Sequence, residues 1–260
     1  MPKRYFIQIP GTVFPIGSAI VKPLVGTLLY SNMVTPWSTA KLIPMSAPPR
    51  HWYGISTDTA PLSCHFFEDL YEHIPEEQRF YFQWSGDLGE AVWDKNANLL
   101  NEELRSEFSH EDEEIEIVLL AHSHGGQIAR KLAELLEDVP QVTFKIITVG
   151  TPLNSKITMP ANVAVWQHFY HQDDNIQSLG SFFMQSWSSL IQPWSFSLQR
   201  EMKSKNPLYQ NHTVSIEFDD PHNDMIQDPR AAQFICEKAK PAIVGTLLSV
   251  ANDSKPIKIC

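Results

Sequence analysis

Residues 117–127 read Ile117-Val118-Leu119-Leu120-Ala121-His122-Ser123-His124-Gly125-Gly126-Gln127. A short run that is apolar at every position passes through a serine and two glycines into a helical stripe. Ile128, Leu132, Leu135, Leu136 and Val139 follow at i, i+4, i+7, i+8 and i+11, with Arg130, Lys131, Glu134 and Glu137 on the remaining positions. A strand that does not alternate apolar with polar residues is covered on both faces. That is the condition of a strand in a parallel sheet sandwiched between helices.

Working outward, similar short runs occur at 5–9, 79–84, 142–149, 163–170 and 213–218 and, with 115–120, alternate with helical periodicity. The pattern predicts an α/β fold with a mainly parallel central sheet and helices on both faces. A helix is predicted near Pro61, with Leu62, Phe66, Leu70 and Ile74 at spacings of four. A last helix is predicted from Asp228-Pro229, where Asp caps and Pro takes the first helical position, and Pro241 should break or kink it. Two stretches interrupt the alternation. Residues from about 13 to 60 are punctuated by prolines and read as an insertion. Residues from about 176 to 210 begin with a stretch free of charge, in which Phe183 and Trp187 share one apolar helical stripe, and read equally as a lid or cap and as an amphipathic helix packed on the core. The 260 residues are thus expected to form a single domain with two insertions.

Composition narrows the function. Hydrophobic residues at 43% and charged residues at 19% exclude an intrinsically disordered chain. A formal charge of −10 repels phosphate backbones and anionic headgroups, so nucleic acid is not an expected partner. Cys64, Cys236 and Cys260 are an odd number without close spacing, which indicates neither a disulfide framework nor a thiolate metal site. The N-terminal apolar run ends too soon for a signal peptide, and no uninterrupted apolar stretch approaches the roughly 20 residues that span a bilayer. A cytoplasmic protein without stable membrane insertion is expected.

The chemistry centres on Ser123. A serine at a strand-to-helix turn, with small residues two before and two after it, meets the steric demands of a nucleophile elbow, and the N–H of His124 then points toward a bound carbonyl oxygen. Two other readings compete. A serine opening a helix is ordinarily a cap, and His122 with His124 forms an H-x-H pair of the kind that binds zinc. The residues after that pair are Gly126 and Gln127, not the further Asp and His that a metallo-β-lactamase type of site would add. Three further features favour the nucleophile. Asp173-Asp174-Asn175-Ile176 follows a predicted strand, His222 lies between the last predicted strand and the last helix, and Pro10-Gly11-Thr12 follows the first strand.

These residues resemble the α/β-hydrolase superfamily. Its G-x-S-x-G motif reads here Ala121-His122-Ser123-His124-Gly125, with the alanine found in some lipases of the group. The resemblance implies the chain order serine, acid, histidine. It assigns Ser123 as nucleophile, Asp174 as the acid through its D-x-I pattern (Asp173 being one residue early), and His222 as general base. The N–H groups of Thr12 and His124 would form the oxyanion hole, with Pro10 standing where many members carry a histidine. The first, antiparallel strands of the superfamily's sheet would be lacking. The implied activity is hydrolysis of carboxylic esters, lipase-like or esterase-like, on small-molecule substrates that include lipid-like esters, with no metal or organic cofactor. Phe183 and Trp187 would line the acyl site. A thioesterase or acyltransferase would use the same triad, and a binding protein could keep the fold without catalysis.

Overall fold

The computed structural model describes residues 2–11, 40–45, 51–52, 55–56, 67–84, 90–108, 113–152, 159–174, 177 and 208–244. Strands β1 (Lys3–Ile9), β2 (Lys41–Pro44), β5 (Arg79–Gln83), β6 (Ile115–His122), β7 (Val142–Val149), β8 (Val163–Tyr170) and β9 (Tyr209–Thr213) form one sheet in the order β2-β5-β1-β6-β7-β8-β9. Only β2 runs antiparallel, against β5. Strands β3 (His51–Trp52) and β4 (Ile55–Ser56) pair separately as a two-stranded hairpin. Both β2 and this hairpin arise from the 13–60 insertion, so the antiparallel edge of the sheet is supplied by a segment that follows β1 in the chain.

The period of two along the strands divides the interior into two cores. Tyr5, Ile7 and Ile9 of β1 and Ile117, Leu119 and Ala121 of β6 face one side, where they meet helices α2 (Glu90–Phe108) and α3 (Gly125–Leu135). Phe6, Val118, Leu120, Ile147 and Val149 face the other, against α1 (Glu68–Tyr71), α4 (Pro221–Gln227) and α5 (Pro229–Val244). All eight residues of β6 are buried, which is why its sequence does not alternate. Among the described residues no helix is long and apolar enough to cross a membrane.

Several elements depart from the sequence reading. Helix α2 is not announced there: its buried stripe of Trp93, Ala97, Leu100, Leu104 and Phe108 is thin for nineteen residues and includes the polar Asn96. The last strand is Tyr209–Thr213, not 213–218. The alternation of Val214, Ile216 and Phe218 comes from non-strand chain packing on the second core, while the ladder with β8 pairs Trp166–Tyr170 to the residues before it. Pro241 lies inside α5 without ending it: the helix runs on to Val244. Of the helix expected near Pro61 the described part is α1.

One charged group crosses the second core. Lys145 on β7 is buried, pairs with Glu116 Oε2 at 2.8 Å and donates to the Ile243 carbonyl at 2.8 Å, while Arg4 Nε meets Glu116 Oε1 at 2.9 Å. The lysine thereby satisfies a carbonyl in the last turn of α5, where the helix dipole favours a cation.

The strand order places a switch between β1 and β6. From β1 the chain goes to β5 on one side, then crosses back to β6 on the other. In open α/β sheets the crevice beyond the carboxyl ends of the strands, at such a switch, is where ligands bind. Ser123 is the residue immediately after β6.

Candidate active site

The turn at Ser123 is built by close approach. Ser123 has φ of +49°, the one non-glycine among the described residues in the left-handed region. Such a conformation costs on the order of 1–3 kcal/mol and persists where the surroundings over-determine it. Here Ser123 N–H donates to the Val149 carbonyl at 2.9 Å and Gly126 N–H to the Ser123 carbonyl at 3.1 Å. At Gly125 a Cβ would lie 2.5 Å from the Pro10 carbonyl oxygen and 2.6 Å from that of Ile9, backbone atoms that cannot move aside. At Gly11 a Cβ would lie 2.5 Å from Ser123 Cβ. The end of β1 therefore sits directly on the elbow. Trp84, buried after β5, holds that loop by donating from Nε1 to the Pro10 carbonyl at 2.9 Å.

Three separate chain segments converge on the Ser123 hydroxyl. His222 Nε2 lies 2.9 Å from Ser123 Oγ, and His222 Nδ1 lies 2.8 Å from Asp174 Oδ2. All three residues are buried. The carboxylate accepts the Nδ1 proton, which leaves Nε2 bare and directed at the hydroxyl. Asp174 lies in the turn four residues beyond β8, whereas the Asp173 side chain is 84% exposed, its carboxylate 3.9 Å from His171 Nδ1. His222 lies not in a loop but in the first turn of α4, after Asp220 as cap and Pro221 as first residue.

The two histidines beside the serine have different partners. His122 Nε2–H donates to the His222 carbonyl at 2.9 Å, and its ring packs against the His222 ring at 4.8 Å. His124 stacks on Trp93 of α2 at 5.1 Å and 19°. Its N–H belongs to the N-terminal end of α3, where the helix dipole favours negative charge. Burial, with His222 as the lesser cause, pushes the His124 ring down to about 3 and lowers His122 well below the usual histidine range. Among the described residues no group of three metal-ligating side chains converges.

Both rings are therefore neutral in the folded protein but take up protons below about pH 6.5 when unfolded. The unfolded state binds more protons there, so stability is lost as pH falls from 6.5. Each histidine contributes a slope that grows from about 0.7 kcal/mol per pH unit at pH 6.5 toward a ceiling of about 1.4 well below it. Urea unfolding at pH 7.5, 6.5 and 5.5 should show the midpoint falling, and His124→Gln should lose its share of the slope. An unchanged midpoint would contradict the neutral burial of both rings.

Thr12, Phe183 and Trp187 lie outside the described residues, as does the 176–210 segment apart from Gln177 and 208–210. Sequence patterning does not single out Gln177, whose backbone N–H donates to Asp174 Oδ1 at 2.8 Å, nor Trp93, nor Gly150, at φ +57° beside the His222–Asp174 contact. An uncharged segment gives Gln177 no periodic or charge signal, and a stacking tryptophan in a helix reads as core. No model of a known protein family matches the chain, and no curated protein sequence matches it.

Proposed function

We propose that the protein is a serine hydrolase of carboxylic esters, built on the α/β-hydrolase plan. One observation carries this reading: a serine in a left-handed turn at the switch of a parallel sheet, 2.9 Å from a histidine whose other nitrogen is 2.8 Å from a buried aspartate. A hydroxyl is a weak nucleophile at neutral pH and needs a base oriented in this way. A helix-capping serine requires none of these partners.

In the proposed reaction Ser123 Oγ attacks the acyl carbon while its proton passes to His222 Nε2. Asp174 holds the Nδ1–H and stabilises the imidazolium. The carbonyl oxygen, now an oxyanion, accepts from the N–H groups of His124 and Thr12. Collapse breaks the ester C–O bond, and the departing alkoxide takes the proton from Nε2, leaving an acyl-serine and the free alcohol. Water then repeats the sequence, giving its proton to His222 and its oxygen to the acyl carbon, and Ser123 Oγ leaves with the proton. The aromatic 176–210 segment, free of charge as far as Gln199 and carrying Phe183 and Trp187, follows the acid in the chain and supplies the acyl wall in this reading.

Labelling with a fluorophosphonate probe, followed by an aryl ester series from acetate to octanoate, tests the proposal. Covalent labelling at Ser123 and turnover rising with chain length are expected, since each buried methylene adds about 0.8 kcal/mol. A folded protein that neither labels nor cleaves any ester overturns it in favour of a binding protein.

A further inference from the structure

The hydrogen bonding around Asp174 continues well past the carboxylate. Asp174 Oδ2 meets His222, and Oδ1 accepts the Gln177 backbone N–H at 2.8 Å. The Gln177 side chain is buried and its amide nitrogen makes two contacts, 2.9 Å to the Thr151 carbonyl and 3.0 Å to His168 Nε2. His168 Nδ1 lies 2.9 Å from Thr148 Oγ1, which is 2.9 Å from Trp166 Nε1. Every member is buried, so these hydrogen bonds are made away from water and fix a defined geometry.

The protons in this chain are determined by elimination. A carbonyl only accepts, so the Gln177 amide must turn its NH2 toward Thr151. The second proton of that NH2 then points at His168 Nε2, which must be bare. His168 is consequently the neutral Nδ1–H tautomer and donates to Thr148 Oγ1, which also accepts the indole N–H of Trp166. The opposite tautomer would set an N–H of His168 against the amide protons of Gln177.

From this we infer that Gln177 is the positioning residue of the acid. Its side chain, fixed between Thr151 and a tautomer-locked His168, holds its backbone N–H on Asp174 Oδ1 and so sets the rotation at which Oδ2 meets His222. The inference rests on the triad reading above. Geometry explains why such a brace is needed. Asp174 stands in the turn four residues beyond β8, while Ser123 is tied to β7 through the Val149 carbonyl. Gln177 bonds to Thr151, two residues beyond Val149, and to His168 on β8, so it registers the acid against the strand that also holds the nucleophile. A carboxylate with only one oxygen held can swing about its Cβ–Cγ bond, and misplacement by about 1 Å is enough to cost on the order of 100-fold in rate.

The test compares wild type with Gln177→Leu, which removes both side-chain bonds but keeps the backbone N–H, and with Thr148→Val, an isosteric change that frees the His168 tautomer far from the acid. Two readouts are taken on each folded protein: kcat and KM on an aryl ester, and the NMR resonance of the His222 Nδ1 proton, assigned by its loss in His222→Gln. Gln177→Leu is expected to lower kcat by on the order of 10- to 100-fold with KM little changed, and to broaden the Nδ1 proton through faster exchange with water. Thr148→Val is expected to shift both in the same direction by less. A lower melting temperature with unchanged kcat and an unchanged resonance would make Gln177 a packing residue and overturn the inference. If Gln177→Leu does not fold, an unchanged Thr148→Val overturns it equally. Should wild type cleave no ester, the hydrolase reading fails by itself. The Nδ1 resonance still decides the brace: its broadening in Gln177→Leu supports it, its persistence removes it.

Discussion

Ser123→Ala is expected to abolish fluorophosphonate labelling and to lower kcat on an aryl ester by on the order of 10⁴- to 10⁶-fold, with the fold intact. The size follows from what remains. Without Oγ there is no covalent route, yet the N-terminal end of α3 and the substrate contacts survive, so a residual acceleration over water persists. The fold should survive because alanine keeps the Cβ that already tolerates φ of +49°, and the hydroxyl that is lost contributes a hydrogen bond to His222. Ser123→Gly sharpens the test. It should be just as inactive, and because glycine enters the left-handed region without steric cost, it should be roughly 1 kcal/mol more stable than wild type. Labelling of Ser123→Ala at the wild-type rate would end the assignment of the nucleophile.

The second large effect belongs to the acid. Asp174→Asn is expected to lower kcat by on the order of 10⁴-fold, whereas Asp173→Asn should change it by no more than a few-fold. The two residues are adjacent in the chain but not in environment. Asp174 is buried at 2.8 Å from His222 Nδ1, while the Asp173 side chain is 84% exposed. Asparagine at 174 can present its NH2 to Nδ1, which forces the proton onto Nε2. A protonated Nε2 faces the Ser123 hydroxyl as a donor and cannot act as base. Steady-state kinetics of the two variants, with the folded fraction measured by circular dichroism, checks this. A larger loss in Asp173→Asn would move the acid by one residue.

What could be read from the sequence followed from how strongly each position is constrained. Strands 142–149 and 163–170 were legible to the residue because burial of seven of the eight residues in each keeps them rich in apolar and β-branched or aromatic residues, and turns bound both ends. The elbow was legible because its sterics demand small residues on both sides of Ser123, a local requirement visible in a string. The choice of Asp174 over Asp173 rested on the resemblance alone, and the structure places Asp174 next to His222. The partners that act across the fold were not legible. Trp93 meets His124 from α2, His122 reaches a carbonyl one hundred positions away, and Gln177 joins two strands. Each is an ordinary residue whose role exists only once the sheet has been assembled. The 213–218 error has the same root, since a pattern of buried and exposed positions reports packing and not ladder pairing.

The outermost strands carry a consequence for solution behaviour. A sheet whose central strands are buried and rich in Ile, Val, Leu and Phe is a template on which other copies could polymerise if its borders were long and open. Among the described strands the two borders are β2, four residues from Lys41 to Pro44, and β9, the five residues Tyr209 to Thr213 with Gln, Asn and His in its middle. A lysine and a proline at the ends of one border, and a polar stretch on the other, leave little for an incoming chain to extend. The insertion that contributes β2 therefore covers the edge of β5 that carries Phe80 and Phe82, and its removal would leave that more apolar edge open to pairing.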